Sequence, residues 1–182
     1  MISSSIKKLF LATFLSVSSC SLAGSFYDIK MKDFRGKELD FSKFKGKSVL
    51  LVNIASGCGY TPQLGDMASL HEKYKDKGFL IVAVPSNSFN QEKLDSVKVG
   101  EFCELKYKSK YLVTEKSEVI GDKKIELFQF LVANAPSDKG KDVSWNFNKF
   151  LVSKNGTVLA RFPSDVSPTS KEITQWIEKS LK

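Results

Sequence analysis

Histidine is almost absent from this chain of 182 residues: His71 stands alone. Three cysteines, Cys20, Cys58 and Cys103, are the other soft ligands, and so small a set builds no metal site of ordinary ligand count. No cysteine–histidine nucleophile pair is indicated either, because His71 falls mid-helix at a position expected to be exposed. Arginine is nearly as scarce, with only Arg35 and Arg161, so the formal net charge of +8 comes from lysines scattered along the chain. Without an Arg-rich block or basic residues interleaved with aromatics, this reads as a solvated basic surface and not a nucleic-acid interface. A Cys-x-x-Cys motif is missing, as are a phosphate-cradling glycine loop and internal repeats. No apolar run approaches the roughly 20 residues of a membrane span.

Acidic residues are missing from the first 23 positions, where Lys7 and Lys8 precede an apolar run over 9–17. A charged start and a short apolar stretch predict a secretory signal. Ser21-Leu22-Ala23 offers small residues for cleavage before Gly24, giving a domain over 24–182. Val17-Ser18-Ser19-Cys20 resembles a loose lipobox, which makes 1–19 a lipoprotein signal and Cys20 a lipidated N-terminus. Both outcomes export the protein, to the periplasm or beyond, and only the second ties it to a membrane. Removing two lysines with the signal leaves a net charge of +6.

What remains is 42% hydrophobic over the whole chain, with 14 Phe, enough for one layered core. Residues 26–34 alternate apolar and polar, turn at Arg35-Gly36-Lys37 and return to Phe41, which predicts an N-terminal β-hairpin. The apolar, β-branched run 48–55 predicts a buried central strand. Thr61-Pro62 predicts a helix start, with Leu64, Met67, Leu70 and Tyr74 on its inner face and Gly78 at its end. A second buried strand is expected over 79–84. A helix is expected over 92–105, with Leu94, Val97, Val99, Phe102 and Leu105 apolar, and another around 125–132. A hairpin turns at Asn155-Gly156, and residues 170–181 predict a closing helix. The pattern is that of one layered α/β domain.

Cys58 lies between the first central strand and the first helix, flanked by Gly57 and Gly59. A helix N-terminus presents unpaired N–H groups and a positive dipole end, which favour a thiolate, the nucleophilic form of cysteine. Thr61 occupies the place of the second thiol in a Cys-x-x-Cys oxidoreductase. After the signal only Cys58 and Cys103 remain, compatible with one structural disulfide or with a catalytic pair.

The segment Val-Asn-Ile-Ala-Ser-Gly-Cys-Gly-Tyr-Thr-Pro-Gln over 52–63 resembles the active-site segment of the glutathione peroxidase family, and Trp-Asn-Phe-Asn-Lys-Phe-Leu-Val over 145–152 is similar to its second signature. Lys-Asp-Lys-Gly-Phe over 75–79 fits between them, and the resemblance runs from about Phe26 to the C-terminus. It implies a thioredoxin-like fold, a central mixed sheet flanked by helices, and reduction of hydrogen peroxide or organic hydroperoxides without a bound cofactor. It assigns Cys58 as nucleophile, Trp145 as indole donor and Asn146 as amide donor. Read without it, Trp145 is a core aromatic and Asn146 a turn residue. The family loop usually reads Pro-Cys-Asn-Gln-Phe-Gly-Gly-Gln-Glu. This chain has Pro-Ser-Asn-Ser-Phe-Asn-Gln-Glu over 85–92, one residue shorter, with Ser88 in place of Gln. Ser88 is expected to take that place, Gln91 being the substitute if the shortened loop rearranges, and a weakened peroxidase or a redox-sensing protein is the alternative function. Cys103 resembles the resolving cysteine of the thioredoxin-linked branch, which implies a Cys58–Cys103 disulfide and a thioredoxin-like reductant. The short stretch 133–144 leaves no room for the insert of tetrameric relatives, which favours a monomer.

Overall fold

The computed structural model describes residues 24–182. The expected signal, its cleavage site and Cys20 lie outside the described residues. Among those described, no helix is long and apolar enough to cross a membrane.

The elements run β1 (Lys30–Lys32), β2 (Glu38–Asp40), β3 (Ser48–Ile54), α1 (Gln63–Tyr74), β4 (Phe79–Pro85), α2 (Ser96–Tyr107), β5 (Leu112–Val113), α3 (Glu126–Asn134), β6 (Lys149–Val152), β7 (Val158–Phe162) and α4 (Lys171–Leu181). Short 3-10 turns cover Phe26–Asp28, Phe41–Phe44 and Lys75–Lys77. Strands β1 and β2 form the expected antiparallel hairpin. The main sheet has the order β5-β4-β3-β6-β7. β3, β4 and β5 are parallel, whereas β6 and β7 join antiparallel to them. This is a mixed thioredoxin-like sheet with helices on both faces.

All seven residues of β3 are buried, because both its faces are covered. Alternation along the strand assigns each side chain to a layer. Leu50, Val52 and Ile54 join Leu64, Met67 and Leu70 of α1 and Ile173 and Ile177 of α4. Val49 and Leu51 join Leu127, Phe128 and Leu131 of α3, with Phe26, Phe41 and Phe44 of the N-terminal turns. The sheet therefore separates two apolar layers.

Several elements differ from the sequence expectation. Residues 26–28 form a 3-10 turn instead of strand, because Ser25 and Asp28 cap it reciprocally. Helix α2 begins four residues late, at Ser96, where the Asp95 carboxylate accepts the Lys98 N–H at 2.9 Å. Its apolar face is narrower than expected: Val97 is 48% and Leu105 71% exposed. His71 is buried, not exposed, lying edge-on to Tyr111 across α1. Burial lowers its pKa below the usual histidine range. The two-residue strand β5 is too short to leave a periodic signature.

Candidate active site

Three segments meet at the carboxyl end of β3: the 55–62 turn, the 85–92 loop and the 145–148 turn. Each is fixed by hydrogen bonds that begin on β3 or its immediate continuation.

The first segment carries Cys58, which is 7% exposed and a free thiol. Thr61 shapes its turn. The Thr61 hydroxyl accepts the Cys58 N–H at 3.1 Å and lies 2.9 Å from the Ala55 carbonyl and 2.7 Å from that of Cys58, which share its single proton. The side chain that stands in place of a second thiol is thus the pin that closes the loop. The Tyr60 N–H points at the Cys58 Sγ from 3.4 Å. The N–H groups of Gln63, Leu64 and Gly65 instead bond the carbonyls of Tyr60, Thr61 and Pro62. The sulfur therefore meets a backbone donor of the turn before the helix, not the first donors of α1 itself.

The second segment docks on the first. Gly57 donates its N–H to the Gln91 carbonyl at 3.0 Å, and a Cβ at Gly57 would stand 2.9 Å from that oxygen. Only glycine permits this approach. Next to it, the Glu92 side chain is fully buried and accepts the Ser56 N–H at 2.7 Å, the Ser56 hydroxyl at 2.8 Å and the Leu94 N–H at 3.0 Å. Three donors compensate the desolvation of a buried carboxylate.

The third segment carries Trp145 and Asn146. Asn53 on β3 accepts the Phe147 N–H at 2.6 Å on its backbone carbonyl and donates its side-chain amide to the Trp145 carbonyl at 3.0 Å. Asn148 donates to the same Trp145 carbonyl at 3.1 Å. Phe147 is held at φ +64°, a left-handed conformation costing about 1–3 kcal/mol in a non-glycine residue. Its ring is fully buried, which anchors it there. The Trp145 indole is 39% exposed and packs at 5.2 Å, tilted, on Phe89 of the second segment.

The candidate residues are brought together unevenly. Asn146, fully buried, donates its Nδ2 to the Gln91 Oε1 at 2.8 Å. A continuous path thus runs from Cys58 through Gly57 and Gln91 to Asn146, with Trp145 adjacent. Ser88 faces elsewhere: its hydroxyl donates to a Glu118 carboxylate oxygen at 2.6 Å, and accepts from the Ser86 hydroxyl at 2.8 Å and the Val119 N–H at 3.1 Å. The loop reaches Gly57 through the Gln91 carbonyl, with Asn90 before it held at φ +59°. The Ser88 hydroxyl is thus committed to the segment around Glu118, while the Gln91 side chain meets Asn146.

Cys103 sits on the inner face of α2, fully buried in the same apolar layer as Cys58, and it too is a free thiol. Burial first, then the Glu92 and Glu104 carboxylates, pushes its pKa up to about 12, against a lowering contribution from a Tyr111 hydrogen bond. Cys103 is therefore held as the thiol at neutrality. Two contacts press its helix onto the body. Gly100 lies against the Phe34 ring, where a Cβ would come within 2.0 Å of a ring carbon, and Glu104 pairs with both Arg35 guanidinium nitrogens at 2.9 and 2.7 Å.

Residues 26–132 match the family model described as glutathione peroxidase. Over 159 residues the chain is 40% identical to glutathione peroxidase-like peroxiredoxin 2 of Saccharomyces cerevisiae, covering 85% of this chain and 98% of that protein. It is 37% identical to a glutathione peroxidase of Lactococcus lactis, covering 86% and 99%. The crystal structure of Trgpx in apo form superposes with a TM-score of 0.70 at 32% identity, over 87% of this chain and 96% of that one. A thioredoxin-family thiol:disulfide interchange protein of Chlorobium tepidum shares the fold at a TM-score of 0.63 but only 16% identity, over 85% and 93%. By the extent of these matches, the chain belongs to the glutathione peroxidase family.

Proposed function

We propose that this protein is a thiol peroxidase in which Cys58 attacks hydrogen peroxide or an organic hydroperoxide, with Gln91, Asn146 and Trp145 as neutral donors. The Cys58 thiolate bonds to one peroxide oxygen, the O–O bond breaks, and the other oxygen leaves as hydroxide or alkoxide that takes up a proton. Cys58 is then a sulfenic acid. Neutral amides and an indole N–H suit this step, because negative charge moves from sulfur to the departing oxygen and both need donors. The observation that carries the reading is the Asn146–Gln91–Gly57 path, which joins an amide pair to the residue that precedes Cys58.

Cys103 resolves the intermediate. Its sulfur bonds to Cys58 as the sulfenic oxygen leaves as water, and a dithiol of thioredoxin type then reduces the disulfide while becoming oxidised itself. Burial of Cys103 requires α2 to open locally first. The protein acts as an exported monomer, soluble or held by a lipid on Cys20, a reading supported by the composition of residues 1–23 and by the short 133–144 stretch.

Intact mass after one equivalent of peroxide tests the reaction. A loss of about 2 Da is expected in the parent and a stable gain of about 16 Da in Cys103→Ser. Unchanged mass in both, or equal reactivity in Cys58→Ser, refutes it.

A further inference from the structure

Lys149 is fully buried at the first position of β6, paired between Val52 of β3 and Phe162 of β7. Among the described residues no carboxylate bonds it. Its Nζ instead donates to three backbone carbonyls: Phe147 at 2.7 Å, Pro163 at 3.3 Å and Ser164 at 3.4 Å. The Ser164 carbonyl also accepts the Gln63 side-chain amide at 2.7 Å, and the Ser164 hydroxyl accepts from Asn148 at 3.1 Å. One ammonium thus joins the Trp145–Asn148 turn, the loop after β7 and the start of α1 that follows Cys58.

A buried cation is a costly way to hold a fold, since an apolar side chain of similar length fills the space without desolvation. What an apolar residue cannot do is hold three carbonyls that point inward. The Phe147 carbonyl is the one that matters here, because Phe147 is left-handed and the peptide on its other side belongs to Asn146. Asn53 fixes that turn from the β3 side and Lys149 from the β7 side.

We propose that Lys149 is a positioning residue for peroxide reduction: its ammonium holds the left-handed Phe147 turn so that Trp145 and Asn146 keep their contacts with Phe89 and Gln91 of the loop that docks on Gly57, next to Cys58. This rests on the peroxidase reading above, but Trp145 emission reports the turn without any turnover. The charges acting on Lys149 are Asp66 of α1 and Asp165 of the loop after β7, both favouring the ammonium against its burial. Burial prevails and pushes its pKa down to about 7, so the third hydrogen is lost within an accessible pH range.

The experiment uses a Trp176→Phe background, in which Trp145 is the one indole. Lys149→Met should slow peroxide oxidation of Cys58 by about tenfold or more and raise acrylamide quenching of Trp145, with the far-ultraviolet circular dichroism retained. A rate within about twofold of the parent, or slowing with unchanged Trp145 quenching, overturns the proposal. If Lys149→Met does not fold, the parent decides. With Cys58→Ser removing the thiol, Trp145 emission should step near pH 7, and the step should survive His71→Gln; a flat trace, or a step that vanishes with His71, overturns it. Loss of peroxide reactivity in the parent would instead remove the peroxidase reading and leave the Trp145 result standing.

Discussion

Replacing Gln91 with alanine separates the chemical from the structural part of the site. The backbone carbonyl that accepts the Gly57 N–H survives, so the loop stays docked. What disappears is the Gln91 side chain, whose Oε1 accepts the Asn146 Nδ2 at 2.8 Å. As a half-buried neutral hydrogen bond the contact is worth about 0.5–1.5 kcal/mol of stability. For a chain of this size that lowers the melting temperature by about 2–5 °C. As a donor set aimed at developing charge it is worth far more, on the order of 10²–10³ in rate. Ser88→Ala provides the contrast, because it removes bonds to Ser86, Glu118 and Val119 but none to the 145–148 turn. Stopped-flow measurement of peroxide-dependent fluorescence change gives the second-order rate constant for each variant. The expected result is a fall of about a hundredfold in Gln91→Ala and less than about threefold in Ser88→Ala, at comparable cost in stability. The reverse ranking, or two equal small losses, refutes the assignment of Gln91.

Other expectations follow from the same contacts. Gly100→Ala forces a methyl against the Phe34 ring and should destabilise the fold by about 1–3 kcal/mol, read by urea denaturation, while speeding alkylation of Cys103. Thr61→Val removes the pin of the Cys58 turn and should cost about 1–3 kcal/mol together with most of the peroxide rate, whereas Thr61→Ser should keep both. Lys149 has a folded pKa of about 7, below its unfolded value of about 10.4, so between those limits the unfolded chain binds more protons and stability should rise with pH. Denaturation at pH 7 and pH 9 should show that rise in the parent and a smaller one in Lys149→Met.

The fold was legible where burial writes a period into the chain. The run of β3 and the inward stripe of α1 are readable because both faces of one and one face of the other meet apolar neighbours. Leu105 misleads for the same reason: an apolar residue at helical spacing implies a buried face, and here it meets solvent. His71 misleads in the opposite direction, since a polar ring can be sealed by a tyrosine that lies 40 residues on. In the site, Cys58 was readable from two glycines at a strand end, and Trp145 and Asn146 from the second signature. Glu92 and Asn53 were not, because each works through a backbone group distant in sequence, and Thr61 was not, because its bonds to Ala55 and Cys58 depend on the shape of an irregular turn. The meeting of Gln91 with Asn146 was visible only as one of two choices, since the path of a loop leaves no local signature.

The sealed position of Cys103 has a consequence for timing. If that thiol completes the cycle, the slow event is the fraying of a helix, and mild warming or low urea should quicken turnover before it harms the enzyme. The oxidised state would then wear a face that the resting state keeps hidden, and a reductant that recognises that face spends no electrons on enzyme that has met no peroxide.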